Sequence, residues 1–333
     1  MVLEAVIQTY VATAQPAGSR QLARRFNFGV SPATIRNTMS DLEEKGYLFH
    51  PHTSAGRVPT DVAYRVYVDS ILPAQSFTTT ERDRLALQIS GGGSAVETIL
   101  RRAAQSLGII TQELGVALGP SFDASRLDRI ELVRLASDRL LVVLSVQGGG
   151  VRTIYVDARG EVADEAIAEV SRVLNERLGG LTLREVRSTL AQRLRDTPAG
   201  AAELINIFVE EGEHIFDVAL DSANDVMLGA ASVLAEQPEF ASADSMRRLV
   251  ALTETRHYLA EVLRKRSDSS GVSITIGNEH DDPALENFTL VTAQYRVGAL
   301  NGVIGVIGPT RMPYDKVISL VTHTSQLVTD LLD

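Results

Sequence analysis

The sequence predicts a multidomain α+β protein: a helical N-terminal module that ends in a hairpin, followed by a sheet interrupted by a mainly helical insertion. Three observations carry this. The chain has 333 residues, 44% of them hydrophobic, enough for two or three cores rather than one. Its first 72 residues show helix-spaced apolar stripes and then two β-prone segments. Beyond them, "DRIELVRL", "RLLVVLSVQ" and "VRTIYVD" read as antiparallel strands, a helical stretch follows, and strands return at "GVSITIG", "FTLVTAQYRV" and "NGVIGVIGP".

Within the N-terminal module, Val2, Leu3, Val6, Ile7, Tyr10 and Val11 recur at helical spacing, and the "QPAGS" turn ends that helix. Ser19 is expected to cap a short second helix that buries Leu22, Ala23 and Phe26. After the turn "NFGV", Ser31 caps a third helix with Pro32 at its first position, where a missing N–H costs nothing. Ile35, Met39 and Leu42 form its inward stripe, and Gly46 suits the left-handed exit. "YLFH" and "RVPT", joined by "PHTSAG", read as a hairpin, and Thr60 begins a fourth helix carrying Tyr64, Tyr67, Val68 and Ile71. Three helices and then a hairpin is the order of a winged helix-turn-helix over residues 1–72, with the third helix placed for the major groove and the hairpin as the wing.

Farther along, "PAQSFTTT" reads as a linker and "SGGGS" at 90–94 as a break between helical pieces. Helices are predicted at "VADEAIAEVSRVLNERLGG", "LREVRSTLAQRLRD" and "GAAELINIFVEEGE", over about 244–266, and over about 313–332. Strands, helices and strands again suggest one sheet with an inserted helical subdomain.

The net charge of −10 argues against a nucleic-acid binder when the chain is taken whole. Its distribution argues the other way. Residues 1–70 hold seven basic and six acidic residues, and Ala5–Ser40 carries four arginines, Arg20 and Arg24 among them, without one Asp or Glu. A local basic surface on an acidic protein is the footprint of a DNA-binding module on a regulatory body. With Ile35, Met39 and Leu42 inward, Asn37, Ser40 and Asp41 lie outermost on the third helix, Thr34 and Arg36 flank them, and Thr38 sits near the border. Arginine favours guanine edges and asparagine adenine. The helix N-terminus, with the hydroxyls of Ser31 and Thr34, suits a phosphate. Arg57, at the hairpin base, reads equally as a DNA contact or an exposed strand residue. The rival reading of the module is a protein-docking scaffold without a DNA role.

Other chemistry finds little footing. There is no cysteine, which excludes disulfides, thiolate zinc sites and cysteine nucleophiles. His50 and His52 flank Pro51 with no further ligand nearby, and "EHDD" at 279–282 lies on a turn before Pro283; both read as solvated loops rather than metal sites. Gly302, Gly305 and Gly308 are interleaved with Val and Ile and lack a following Lys-Ser/Thr, so they read as close strand packing rather than a phosphate loop. No nucleophile elbow or triad stands out, so neither an enzyme nor a cofactor is expected. No apolar run reaches the ~18–20 residues of a membrane span and the start lacks a signal-peptide pattern, so the expected location is the cytoplasm.

"SPATIRNTMSDLEEKGYL" followed by "PHTSAGRVPTDVAYRVYVD" resembles the signature of the HrcA family of heat-inducible transcription repressors. "QPEF", "IGNEH" and "LVTAQYRVGALNGVIGVIGPTRMPYDKVIS" resemble its C-terminal half, so the likeness runs nearly end to end. The resemblance implies a homodimer that binds CIRCE, a double-stranded inverted repeat upstream of chaperone operons, with activity modulated by the GroE chaperonin. It also implies a GAF-like domain interrupted by an inserted dimerisation domain. The expected boundaries are 1–72 for the winged helix, 73–160 for the linker and first GAF-like part, 161–225 for the insertion and 226–333 for the second GAF-like part. Because GAF-like folds often bind small molecules, a ligand-sensing regulator is the alternative.

Overall fold

The computed structural model describes residues 1–52, 56–72, 96–120, 125–147, 150–158, 160, 162–195, 202–210, 226–267, 271–298 and 300–332, with Leu85 and Ile89. The expected linker at 73–80 and the glycine break at 90–94 lie outside them. Two units are formed, one from Met1–Leu118, Val226–Tyr295 and Val303–Leu331, the other mainly from Gly119–Asp225.

In the first unit, helices α1 (Val2–Thr13), α2 (Ser19–Arg25) and α3 (Pro32–Glu44) pack around Val6, Leu22, Ile35, Met39 and Leu48. The antiparallel pair β1 (Leu48–Phe49) and β2 (Val58–Pro59) follows, then α4 (Asp61–Ile71). Ser31 and Thr60 cap α3 and α4 as expected, each accepting a backbone N–H three residues on. Gly18 rather than Ser19 stands at the start of α2, because Ser19 already adopts helical geometry. Ala17 in the α1–α2 turn exchanges two backbone hydrogen bonds with Arg57, at 2.8 and 2.9 Å, and so adds an edge to the hairpin. Gly56 makes this approach possible: a Cβ there would lie 2.3 Å from the Ala17 carbonyl oxygen.

A five-stranded sheet in the order β7-β3-β10-β9-β8, built from β3 (Leu114–Leu118), β7 (Val226–Leu228), β8 (Val272–Ile276), β9 (Phe288–Val297) and β10 (Leu300–Pro309), lies in the same unit except for the end of β9 and the start of β10. The helix α5 (Val96–Thr111) and the C-terminal helix (Tyr314–Leu332) belong to this unit. The core gathers Leu114 and Val116 of β3 with Phe240, Phe288, Leu290 and Ile307. Gly305 sits where a Cβ would fall 2.1 Å from the Val291 carbonyl oxygen, which is the close strand packing expected of it. The helix expected over 244–266 is two, Ala243–Glu254 and Arg256–Arg264, because Thr255 leaves helical geometry at φ −88°, ψ 68°.

Three contacts fasten the N-terminal helices to this sheet. Arg65 of α4 forms a two-pronged pair with Glu279 and donates to the Ile274 carbonyl at 2.8 Å. Although burial pushes the Glu279 carboxyl up, the Arg65 guanidinium and the Ile276 N–H outweigh it and hold it below its usual range. Asp61 accepts from both the backbone and the side-chain nitrogen of Asn278, at 3.0 and 2.9 Å. From the sheet side, Arg311 pairs with Glu239 and donates to the Val11 carbonyl at 2.8 Å. Between these contacts the rings of Tyr64 and Tyr314 lie 5.6 Å apart, both hydroxyls pushed up chiefly by burial.

The second unit is a three-stranded antiparallel sheet, β4 (Leu127–Ala136), β5 (Arg139–Val146) and β6 (Val151–Asp157), covered on one face by α6 (Asp164–Leu178), α7 (Leu183–Leu194) and α8 (Ala202–Glu210). Two separate sheets thus replace the single interrupted one expected from the sequence. The second unit begins at Gly119, ahead of the 161 expected for the insertion, because Ile130, Leu140, Val142, Leu144 and Ile154 share one core with Val170, Leu174 and Leu190. Asn175 fixes α6 to β4 by accepting the Ile130 N–H and donating to the Ile130 carbonyl, at 2.8 and 2.7 Å. The opposite sheet face leaves Val133, Leu135, Val151 and Tyr155 exposed. Among the described residues no helix is long and apolar enough to cross a membrane.

Candidate nucleic-acid interface

Helix α3 presents the chemistry that the sequence singled out. Ile35 and Met39 anchor it to the core at 0% and 3% exposure. Thr34, Arg36 and Asn37 are exposed on the other side, and the side chains of Arg36 and Asn37 form no hydrogen bond or ion pair with any described residue. At the helix start, the Ser31 hydroxyl accepts the Thr34 N–H at 3.2 Å and lies 3.0 Å from the Thr34 hydroxyl. Those two hydroxyls are therefore partly satisfied by each other, with one proton left for an outside acceptor.

Thr38, read as a border residue, is half-buried and donates to the Thr34 carbonyl at 3.2 Å. Ser40, read as one of the outermost, is half-buried instead: it donates to the Arg36 carbonyl and accepts from Arg57 at 3.5 Å. On α2, Arg20 and Arg24 are both exposed and four residues apart, so they share a face. Neighbouring Arg25 has its guanidinium 5.5 Å from the centre of the Phe26 ring.

Arg57 is where structure and sequence part. It is not an exposed strand residue; it is buried and its guanidinium pairs with Glu43 at 2.7 Å. The other oxygen of Glu43 meets His50 Nδ1 at 2.8 Å. Neither Glu43 nor His50 was singled out for this role from the sequence, which carries no signal for a contact that the hairpin register alone creates. In "EHDD", Glu279 holds Arg65, Asp282 caps the following turn by accepting the Ala284 N–H, and His280 Nε2 lies 3.2 Å from the Phe288 carbonyl oxygen. These residues, read as a solvated loop, are thus structural.

With this geometry in view, residues 97–318 match the family model described as the HrcA protein C terminal domain. The chain belongs to the HrcA family. A heat-inducible transcription repressor HrcA of Chlorobium phaeobacteroides is 42% identical, with 97% of this chain and 94% of that protein covered. The HrcA of Geobacter sulfurreducens carries the same description at 36% identity, covering 100% of this chain and 97% of its own. A crystal structure of a hypothetical protein, 22% identical, covers 99% of this chain and 97% of its own with a TM-score of 0.60, a likeness of fold. The family model stops short of the N-terminal helices, whereas the HrcA relatives span them.

Proposed function

We propose that this HrcA-family chain is a cytoplasmic heat-shock transcription repressor whose residues 1–72 form a winged helix that reads an inverted-repeat operator of the CIRCE type. The observation that carries the reading is the face of α3: Thr34, Arg36 and Asn37 stand open, capped at Ser31, beside Arg20 and Arg24, on a stretch without carboxylates. Amide and guanidinium groups on one free helix face match base edges in a major groove, and the arginines of α2 match the phosphates beside it. The relatives, known as heat-inducible transcription repressors, support repression in response to heat.

A two-fold operator calls for a two-fold protein. The open apolar face of the β4-β5-β6 sheet supports the insertion, now 119–225, as the dimerising part of a homodimer. The five-stranded sheet is the GAF-like domain in this reading. Modulation by the GroE chaperonin follows if heating costs the repressor its marginally stable fold and refolding restores it.

The test is a gel-shift titration against a CIRCE-type repeat and a scrambled duplex of equal length at two salt concentrations. Preference for the repeat, weakening as salt rises, is the expected result; equal affinity for both in folded, dimeric protein would sink it. Recovery of operator binding after heat treatment only when chaperonin is supplied tests the second half.

A ligand-sensing regulator stays in view because of one cavity of about 430 Å³, lined by Asp61, Ser245, Arg248, Asn278, Asn287 and Phe288 among others. Asp61 opens α4, so a small polar ligand there would act on the N-terminal helices directly. A thermal-shift screen of polar metabolites with no hit would remove that reading.

A further inference from the structure

We infer that Glu43 is a positioning residue for the hairpin: its carboxylate locks both limbs of the wing onto the end of the reader helix, so that α3 and the wing meet DNA as one body. The inference rests on the DNA-reading function proposed above and adds a part to it.

Glu43 is in the last turn of α3. One carboxylate oxygen meets His50, just after β1, at 2.8 Å; the other meets Arg57, just before β2, at 2.7 Å. A single side chain therefore bridges the two limbs of the hairpin from outside. The limbs have little hold on each other, since β1 and β2 are two residues long with two registered pairs, Leu48 with Pro59 and Phe49 with Val58, and a two-stranded hairpin is marginal by itself. Arg57 reaches further: its backbone is bonded in both directions to Ala17 in the α1–α2 turn, and its guanidinium also approaches Ser40. The ion pair thus joins the first turn of the module, the hairpin and the reader helix. With its guanidinium largely buried, Arg57 needs a counter-charge in place, and Glu43 is the carboxylate that the described residues supply. Its positive charge is spent inside the module and does not count among those neutralising phosphates.

The experiment uses the full chain with Glu43→Ala, Glu43→Gln, Arg57→Ala and the double variant Glu43→Ala/Arg57→Ala. Amide hydrogen exchange over residues 46–60 is read without DNA, and affinity for the repeat and the scrambled duplex is read over a salt series. Glu43→Ala is expected to speed exchange in that segment more than in the rest of the chain, beyond what any drop in the global unfolding temperature accounts for. It should also cut the preference for the repeat about tenfold while leaving the salt slope as it was. Glu43→Gln, which keeps an oxygen acceptor, should fall between, and the double variant should lose no more than the worse single one, as partners in one interaction do. Wild-type exchange and selectivity in Glu43→Ala would overturn the inference. So would an Arg57→Ala salt slope smaller by about one, the mark of a phosphate contact. Equal binding of both duplexes by the wild type overturns the DNA reading itself, and the exchange measurement, which needs no DNA, separates that failure from failure of the lock.

Discussion

Helices α3 and α4 carry similar side chains and put them to opposite use. Each has an arginine in its first half on a polar face, Arg36 in one and Arg65 in the other. Arg36 has no partner among the described residues, whereas Arg65 is held by Glu279 and the Ile274 carbonyl. Asn37 is open, whereas Asp61 is bonded to Asn278. The difference comes from residues more than two hundred positions away in the chain. A charged helix face stays open or becomes a fastening according to whether the fold brings it a partner.

The largest effect is expected at the open face. Arg36→Ala combined with Asn37→Ala should cost about 1–3 kcal/mol for each lost base contact, seen as lost preference for the repeat in a gel shift, with the unfolding temperature unchanged. On α4 the pattern should invert. Arg65→Ala leaves Glu279 without its guanidinium and should cost about 1–2 kcal/mol of stability in denaturant unfolding, while the ratio of repeat to scrambled binding is kept. Loss of selectivity with no loss of stability in Arg65→Ala would break the comparison.

Smaller effects sharpen it. Arg20→Ala and Arg24→Ala should each lower the slope of log affinity against log salt by about 0.9 if they meet phosphates, measured by titration over a salt series, and should affect both duplexes alike. The weakest effect is on the sheet side. Glu113 is buried, and desolvation pushes its carboxyl well above its ordinary range, opposed by the Gln237 hydrogen bond and Arg311 and reinforced by Glu239. With the folded value raised, the folded state holds the proton more tightly, so stability is full at low pH and declines as pH rises above the ordinary carboxylate range. Glu113→Gln should flatten that decline in unfolding curves taken across pH.

Much of the N-terminal module was legible because local rules decide it. Ser31 and Pro32 start α3, the Ile35 and Met39 spacing aims it, and Thr60 starts α4. The open positions Thr34, Arg36 and Asn37 follow from helical periodicity alone. The pairing of Arg57 with Glu43 was not legible, since it depends on how the hairpin folds back on the helix. Nor was strand β3: "LGVAL" is buried at all five positions, so it lacks the alternation that reveals a half-exposed strand. The three-residue β7 was missed for its shortness. Without β3 and β7, the strands at 127–157 looked like part of the main sheet, although their inner faces pack on α6 and α7.

The place of β3 also sets a schedule for the newborn chain. It lies between β7 and β10, so its neighbours are residues 226–228 and 300–309. Ribosomes add about 5–20 residues per second, and this apolar strand therefore waits about ten seconds or longer for the second edge that covers it. Until then at least one of its edges is open, the kind of exposed apolar strand that makes a folding intermediate prone to aggregate. The order of the strands along the chain, as much as their order in the sheet, thus sets how long this apolar segment stays uncovered.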